Sequence, residues 1–149
     1  MIRHTRRSLV AAVAVGAAAA AAIPLSSAVS QQSPPRFVID LKLGETATFG
    51  ARGAVAFVTL DYTCPIAAEL EFVSVRLVQR SGSSIAQGFG FAQQLPCDGT
   101  IQETTVSVLA TTGRAFKKGP AFAQAEATAC DALGCVSDDD ESEIQLERR

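Results

Sequence analysis

Histidine, tryptophan and methionine are nearly missing from this chain: its 149 residues hold one His, one Met and no Trp, with a single Tyr. The one imidazole, His4, falls in a leader expected to be removed, so the mature protein would have none. That excludes Ser-His-Asp and Cys-His nucleophilic sites and any zinc or copper site that needs His. Catalysis would have to rest on carboxylates alone, and the sequence is read as non-enzymatic. Charge of one sign is also scarce. Setting aside Arg3, Arg6 and Arg7 leaves ten basic residues against 15 acidic ones, a net charge of about −5 that argues against nucleic acid as a partner.

No long apolar run is present beyond LVAAVAVGAAAAAAIP, which is too short and too rich in Ala to span a membrane stably. Preceded by MIRHTRRS, it reads as a signal peptide over residues 1–28. Ser26 and Ala28 supply the small side chains that cleavage after Ala28 requires. The phrase TRRSLV is equally compatible with twin-arginine export and with ordinary secretion. No Cys follows to take a lipid and the tail SEIQLERR is polar, so a secreted product without a stable membrane anchor is expected. Residues 29–35 form a linker, and 36–149 form one domain of a size that gains from cross-links.

That domain shows period-two alternation almost throughout, broken by Gly, Pro, Ser and Asp clusters. A first strand lies in FVIDLKL or ETATFG, or in both across Gly44. The run 54–64 puts Val58, Leu60, Tyr62 and Cys64 on one face, and 70–80 sets Val73, Val75 and Leu77 against Phe72, Ser74, Arg76 and Val78. In 85–94, Ile85, Phe89 and Phe91 alternate with small residues that include Gly88 and Gly90. Glycine in a strand interior is tolerated where something approaches its backbone closely. Val106 and Val108 are expected inward in 101–110, five alanines share one face of 120–130, and Ile144 and Leu146 point inward in 142–147. Seven strands with turns near every tenth residue predict an all-β, immunoglobulin-like two-sheet sandwich, although the usual core Trp is absent.

In that topology Cys64, Cys97, Cys130 and Cys135, the four cysteines, gather at one pole. The expected disulfides are Cys64–Cys97 and Cys130–Cys135, with Cys64–Cys130 as the competing bridge between the second and sixth strands. A four-thiolate zinc site is disfavoured, because the spacing lacks paired C-x-x-C knuckles and an exported chain meets an oxidising environment.

The stretches YTCP, VSVRLVQRSGSSIAQGFG, CDGTIQETTVSV, FKKGPAFAQA and SEIQL, together with C-x4-C, resemble a group of small exported actinobacterial β-sandwich proteins without an assigned activity. The resemblance implies fold and compartment only. ACDALGCVSD alone is similar to the enediyne apoproteins of the neocarzinostatin type, which implies carriage of an apolar ligand in a cleft. The second cysteine pair does not follow that family's pattern.

Candidate sites are few. Phe72, Arg76 and Val78 should share an outer sheet face with Phe122, Gln124 and Glu126, a surface for a protein or cell-envelope partner. Phe89 and Phe91 are expected in the core, with a cleft for a small apolar ligand as the alternative. The run SDDDESE reads as a solvated turn, and Asp138, Asp139, Asp140 and Glu141 are a weak calcium candidate because the spacing is not that of a calcium loop. Lys117 and Lys118 could meet an anionic surface or serve only solubility. A hydrolytic carboxylate pair would need Asp61 near Glu69 or Glu71 in a cleft. No cofactor is indicated.

Overall fold

The computed structural model describes residues 37–149. The expected signal peptide and linker lie outside the described residues. Seven strands follow one another: β1 (Asp40–Gly50), β2 (Val55–Thr63), β3 (Glu69–Ser81), β4 (Ser84–Leu95), β5 (Ile101–Ala110), β6 (Gly119–Asp131) and β7 (Gly134–Arg148), with one 3-10 turn at Ala51–Gly53. Their lateral order is β1-β2-β5-β4-β3-β6-β7, and β7 returns to β1. All pairings are antiparallel except β1 with β7.

The all-β class and the strand count agree with the sequence, but two separate sheets do not form: the strands make a closed barrel. Two local features close it. The register of β1 shifts between Leu43 and Ala47, after which Thr46–Phe49 runs parallel beside Gln145–Arg148. On the other side β4 meets β5 only through Gly88 with Ala110 and Phe89 with Leu109. That approach depends on glycine, since a Cβ on Gly88 would stand 2.6 Å from the Leu109 carbonyl oxygen, and one on Gly90 would strike that of Ser107.

Both junctions lie toward the same pole, where β1 ends and β2 begins. At the opposite pole the two halves are joined mainly by side chains, with one backbone bond beside them. The Leu41 N–H donates to the Asp138 carboxylate at 2.9 Å and the Leu43 N–H to Asp140 at 2.7 Å. Tyr62 donates its hydroxyl to the Pro96 carbonyl at 3.1 Å, and Gly99 N–H reaches the Cys64 carbonyl at 3.0 Å. The molecule is therefore woven shut at one end and stitched at the other.

Inward-facing residues follow the alternation. Val58, Leu60, Tyr62 and Cys64, then Val73, Val75 and Leu77, and Val106, Val108, Ile144 and Leu146 are all buried. The alanine row of β6 is buried too, from Ala121 to Ala129. Small methyl groups there leave room for larger side chains across the core, including Phe116 from the β5–β6 connection.

Two expectations are corrected. Phe89 and Phe91 are not core residues: Ala86, Gly88 and Gly90 take the inward positions and the rings face solvent. The close backbone approach of β5 leaves no interior space for a ring there. Residues 138–143 are not a turn but the middle of β7, which begins at Gly134 and not near Ser142. The Cys130–Cys135 bridge and the Asp131–Gly134 pairing start the hairpin there, so β7 must run the full length of β6.

Candidate functional site

Antiparallel registry sets the outer face of β4, β3, β6 and β7 in rows. One row reads Phe89, Arg76, Gln124, Glu141, the next Phe91, Ser74, Glu126, Asp139. On either side lie Gln87, Val78, Phe122, Glu143 and Gln93, Phe72, Thr128, Ser137. Phe72, Arg76, Phe122, Phe89 and Phe91, named from the sequence as binding candidates, thus stand together on one surface. The four rings are 36, 47, 50 and 61% exposed for Phe72, Phe122, Phe89 and Phe91, too open for a core role.

Ile85 precedes Phe89 on β4 and Leu109 pairs beside it from β5. These two bring to six, of ten among the described residues, the exposed large apolar side chains concentrated on this side. The Phe89 and Phe91 ring centroids are 6.4 Å apart and tilted by 38°, within the range of a favourable aromatic pair. A shallow depression of about 440 Å³ opens between Phe89, Arg76, Gln124 and Glu126. Polar contacts fix its acidic border, with Gln124 donating to Glu141 at 2.7 Å and Thr128 bonded to Ser137 at 2.8 Å. The face therefore grades from an apolar ridge on β4, past Arg76, to a carboxylate row of Asp139, Glu141 and Glu143 on β7.

The other sequence candidates separate. Strand alternation turns Asp138 and Asp140 toward β1, where they accept backbone hydrogen bonds, and Asp139 and Glu141 outward, so the four do not converge on one cation. Among the described residues no group of three or more His, Cys, Asp or Glu is placed to hold a metal. Asp61 borders a depression with Lys42 and Tyr62, whereas Glu69 and Glu71 border another with Gln94 and Leu95. They do not form a facing pair.

Cys64 is bonded to Cys97 and Cys130 to Cys135, the connectivity preferred from the strand order, and no free cysteine remains among the described residues. Beside the first bridge the Thr100 hydroxyl and N–H and the Gln102 amide bond Asp98, and they hold its carboxyl below the usual carboxylate range. Burial, and then the Asp98 charge, push the Tyr62 phenol up. One contributor was missed from sequence. Gln79 is the buried polar residue of the core and donates to the Lys117 carbonyl at 2.8 Å while accepting the Lys117 N–H at 2.8 Å. Its position in the inward phase of β3 was the available signal.

Fold and face together define a disulfide-bonded all-β module with an exposed aromatic surface. No family model and no curated protein matches the chain. Solved structures similar to it include murine CRIg, at 14% identity and TM-score 0.39, covering 75% of this chain and 98% of that one. Another is AggA, the major subunit of aggregative adherence fimbriae type I from Escherichia coli, at 10% identity, TM-score 0.40 and coverage of 77% and 97%. A third is the sporulation control protein Spo0M of Bacillus subtilis, at 11% identity, TM-score 0.36 and coverage of 76% and 50%. Likenesses at this level assign neither family nor role.

Proposed function

We propose that the chain is a secreted, immunoglobulin-like, non-catalytic binding module that engages a protein partner through the outer face of β4, β3 and β6. The observation that carries this is the gathering of Phe72, Phe89, Phe91 and Phe122, half-exposed, on one sheet surface. Aromatic side chains around a central Arg have the composition of interface hot spots. The carboxylate row along β7 selects the partner's charge, which is an apolar groove bordered by basic residues. Two disulfides fit an oxidising, extracellular setting. A non-catalytic role is supported by the expected mature chain's lack of imidazole and by the separation of Asp61 from Glu69 and Glu71.

A photo-crosslinking amino acid at position 91, compared with one at Leu133 in the β6–β7 turn, tests the reading on intact producing cells. A defined adduct from position 91 alone, lost when Phe89→Ser/Phe122→Ser is added at unchanged thermal stability, is expected. Equal adducts from both positions, or none, would overturn it. A second reading, carriage of a small apolar ligand, rests on the depression beside Phe89. It requires a rise in thermal stability on adding an apolar dye, abolished by the same double substitution.

A further inference from the structure

The woven pole carries a different chemistry. A cleft of about 570 Å³ opens there over the barrel end, floored by Phe49 and Phe116 and walled by Arg52, Lys117, Lys118 and Arg148, with Arg149 at its rim. Five of its nine lining residues are cationic and none is acidic, in a chain whose formal net charge is −2. Arg80 near the end of β3 and Arg114 on the β5–β6 connection stand at the same pole, so seven of the nine basic residues within 37–149 collect at this end. Asp40, Asp61, Glu69, Glu71, Asp98 and Asp131 lie toward the other. Gathering like charges costs self-repulsion, and a surface that only needed solubility would intersperse the signs.

The walls are built rigidly. Ala51, Arg52 and Gly53 adopt consecutive positive φ angles of 47°, 58° and 86°, a strained run for the two residues with side chains. It is locked by a hydrogen bond of 2.8 Å from Phe116 N–H to the Gly53 carbonyl. Gln79 spends its buried amide on the backbone of Lys117, through the pair of bonds described above. Arg148 pairs with Phe49 in the parallel junction, and the Arg149 guanidinium lies 5.2 Å from the Phe57 ring centroid. Strained backbone, a buried amide and a sheet junction thus hold cations around one hollow before any ligand arrives.

We propose that this cleft binds a phosphate-bearing ligand with at least two negative charges. Arg52 and Arg148 supply planar forks that match phosphate oxygens, Lys117 and Lys118 add point charges, and Phe49 and Phe116 provide an apolar floor for the rest of the molecule. The site is separate from the aromatic face and does not depend on the function proposed for it.

The test is isothermal titration of the protein with inorganic pyrophosphate at low salt, beside co-sedimentation with phosphatidylcholine vesicles containing cardiolipin, whose headgroup carries two phosphates. Wild type is compared with Arg52→Asn/Lys117→Gln, in which Asn tolerates the left-handed backbone. An Arg148→Gln variant leaves that turn untouched. Pyrophosphate should bind, weaken as salt rises, and lose affinity by about tenfold or more in either variant at unchanged thermal stability. Vesicle binding lost in the same variants would place the phosphate on a lipid headgroup; pyrophosphate binding without vesicle binding would place it on a soluble or polymer-borne ester. Absence of pyrophosphate binding, or equal binding by the variants, would overturn the proposal.

Discussion

Tyr62 is the only tyrosine of the chain, so its phenol can be titrated by tyrosinate absorbance without interference. Burial raises its pKa above 10.0 and the Asp98 carboxylate raises it further. A raised folded value means that this group's stabilisation is complete below the unfolded pKa and is lost as pH rises through the folded one. The folded protein should therefore show its tyrosinate midpoint above that of the denatured chain, and its stability should fall on the alkaline side. Asp98→Asn should lower the midpoint without returning it to the unfolded value, because burial is the larger cause; a midpoint equal to the denatured one would refute this account. At this scale the inward phase of Val58, Leu60, Tyr62 and Cys64 was legible from alternation alone. Phe89 and Phe91 were not, because alternation says which residues share a face and not which face is inside. Gly88 and Gly90 decide that question, since their missing Cβ atoms admit the backbone of β5.

Among the elements, β7 departs most from what its composition suggests. Four consecutive carboxylates and a fifth after Ser142 read as a solvated turn, yet the strand continues through them, with Val136, Asp138, Asp140, Ser142, Ile144 and Leu146 in one phase. Two of these carboxylates replace the backbone partners that β1 lacks at Leu41 and Leu43. Asp140→Ala should cost about 2 kcal/mol in denaturant titration, because it removes a charged acceptor from a part-buried N–H. Asp140→Asn keeps an acceptor oxygen and should cost less, while Asp139→Ala, on the outer phase of the same strand, should stay within about 0.5 kcal/mol. The signal for this strand was present in the C-x4-C hairpin, which sets β6 and β7 in register and pairs β7 along the whole of β6. The β1–β7 junction was out of reach from sequence, because parallel pairing between residues some hundred positions apart leaves no local pattern.

For the molecule as a whole, the cysteines allowed the stitched pole to be read from strand order, while the woven pole was hidden in a register shift and two glycines. By the chain-entropy argument, replacing Cys64 and Cys97 by Ser should cost about 4 kcal/mol and replacing Cys130 and Cys135 about 2. The first loss should also be local. Amide exchange in Cys64→Ser/Cys97→Ser should quicken around Leu60 and Gln102, while the amides of Thr46–Phe49 and Ala110 keep their protection. Uniform acceleration would show that the two ends are not independent. Because one end relies on sulfur as well as backbone pairing and the other has no disulfide, coming apart has a direction. A reductant meets the molecule at the end remote from its cations and loosens that end first. If the cationic cleft takes the ligand proposed for it, redox state and occupancy are read at opposite ends of one small body.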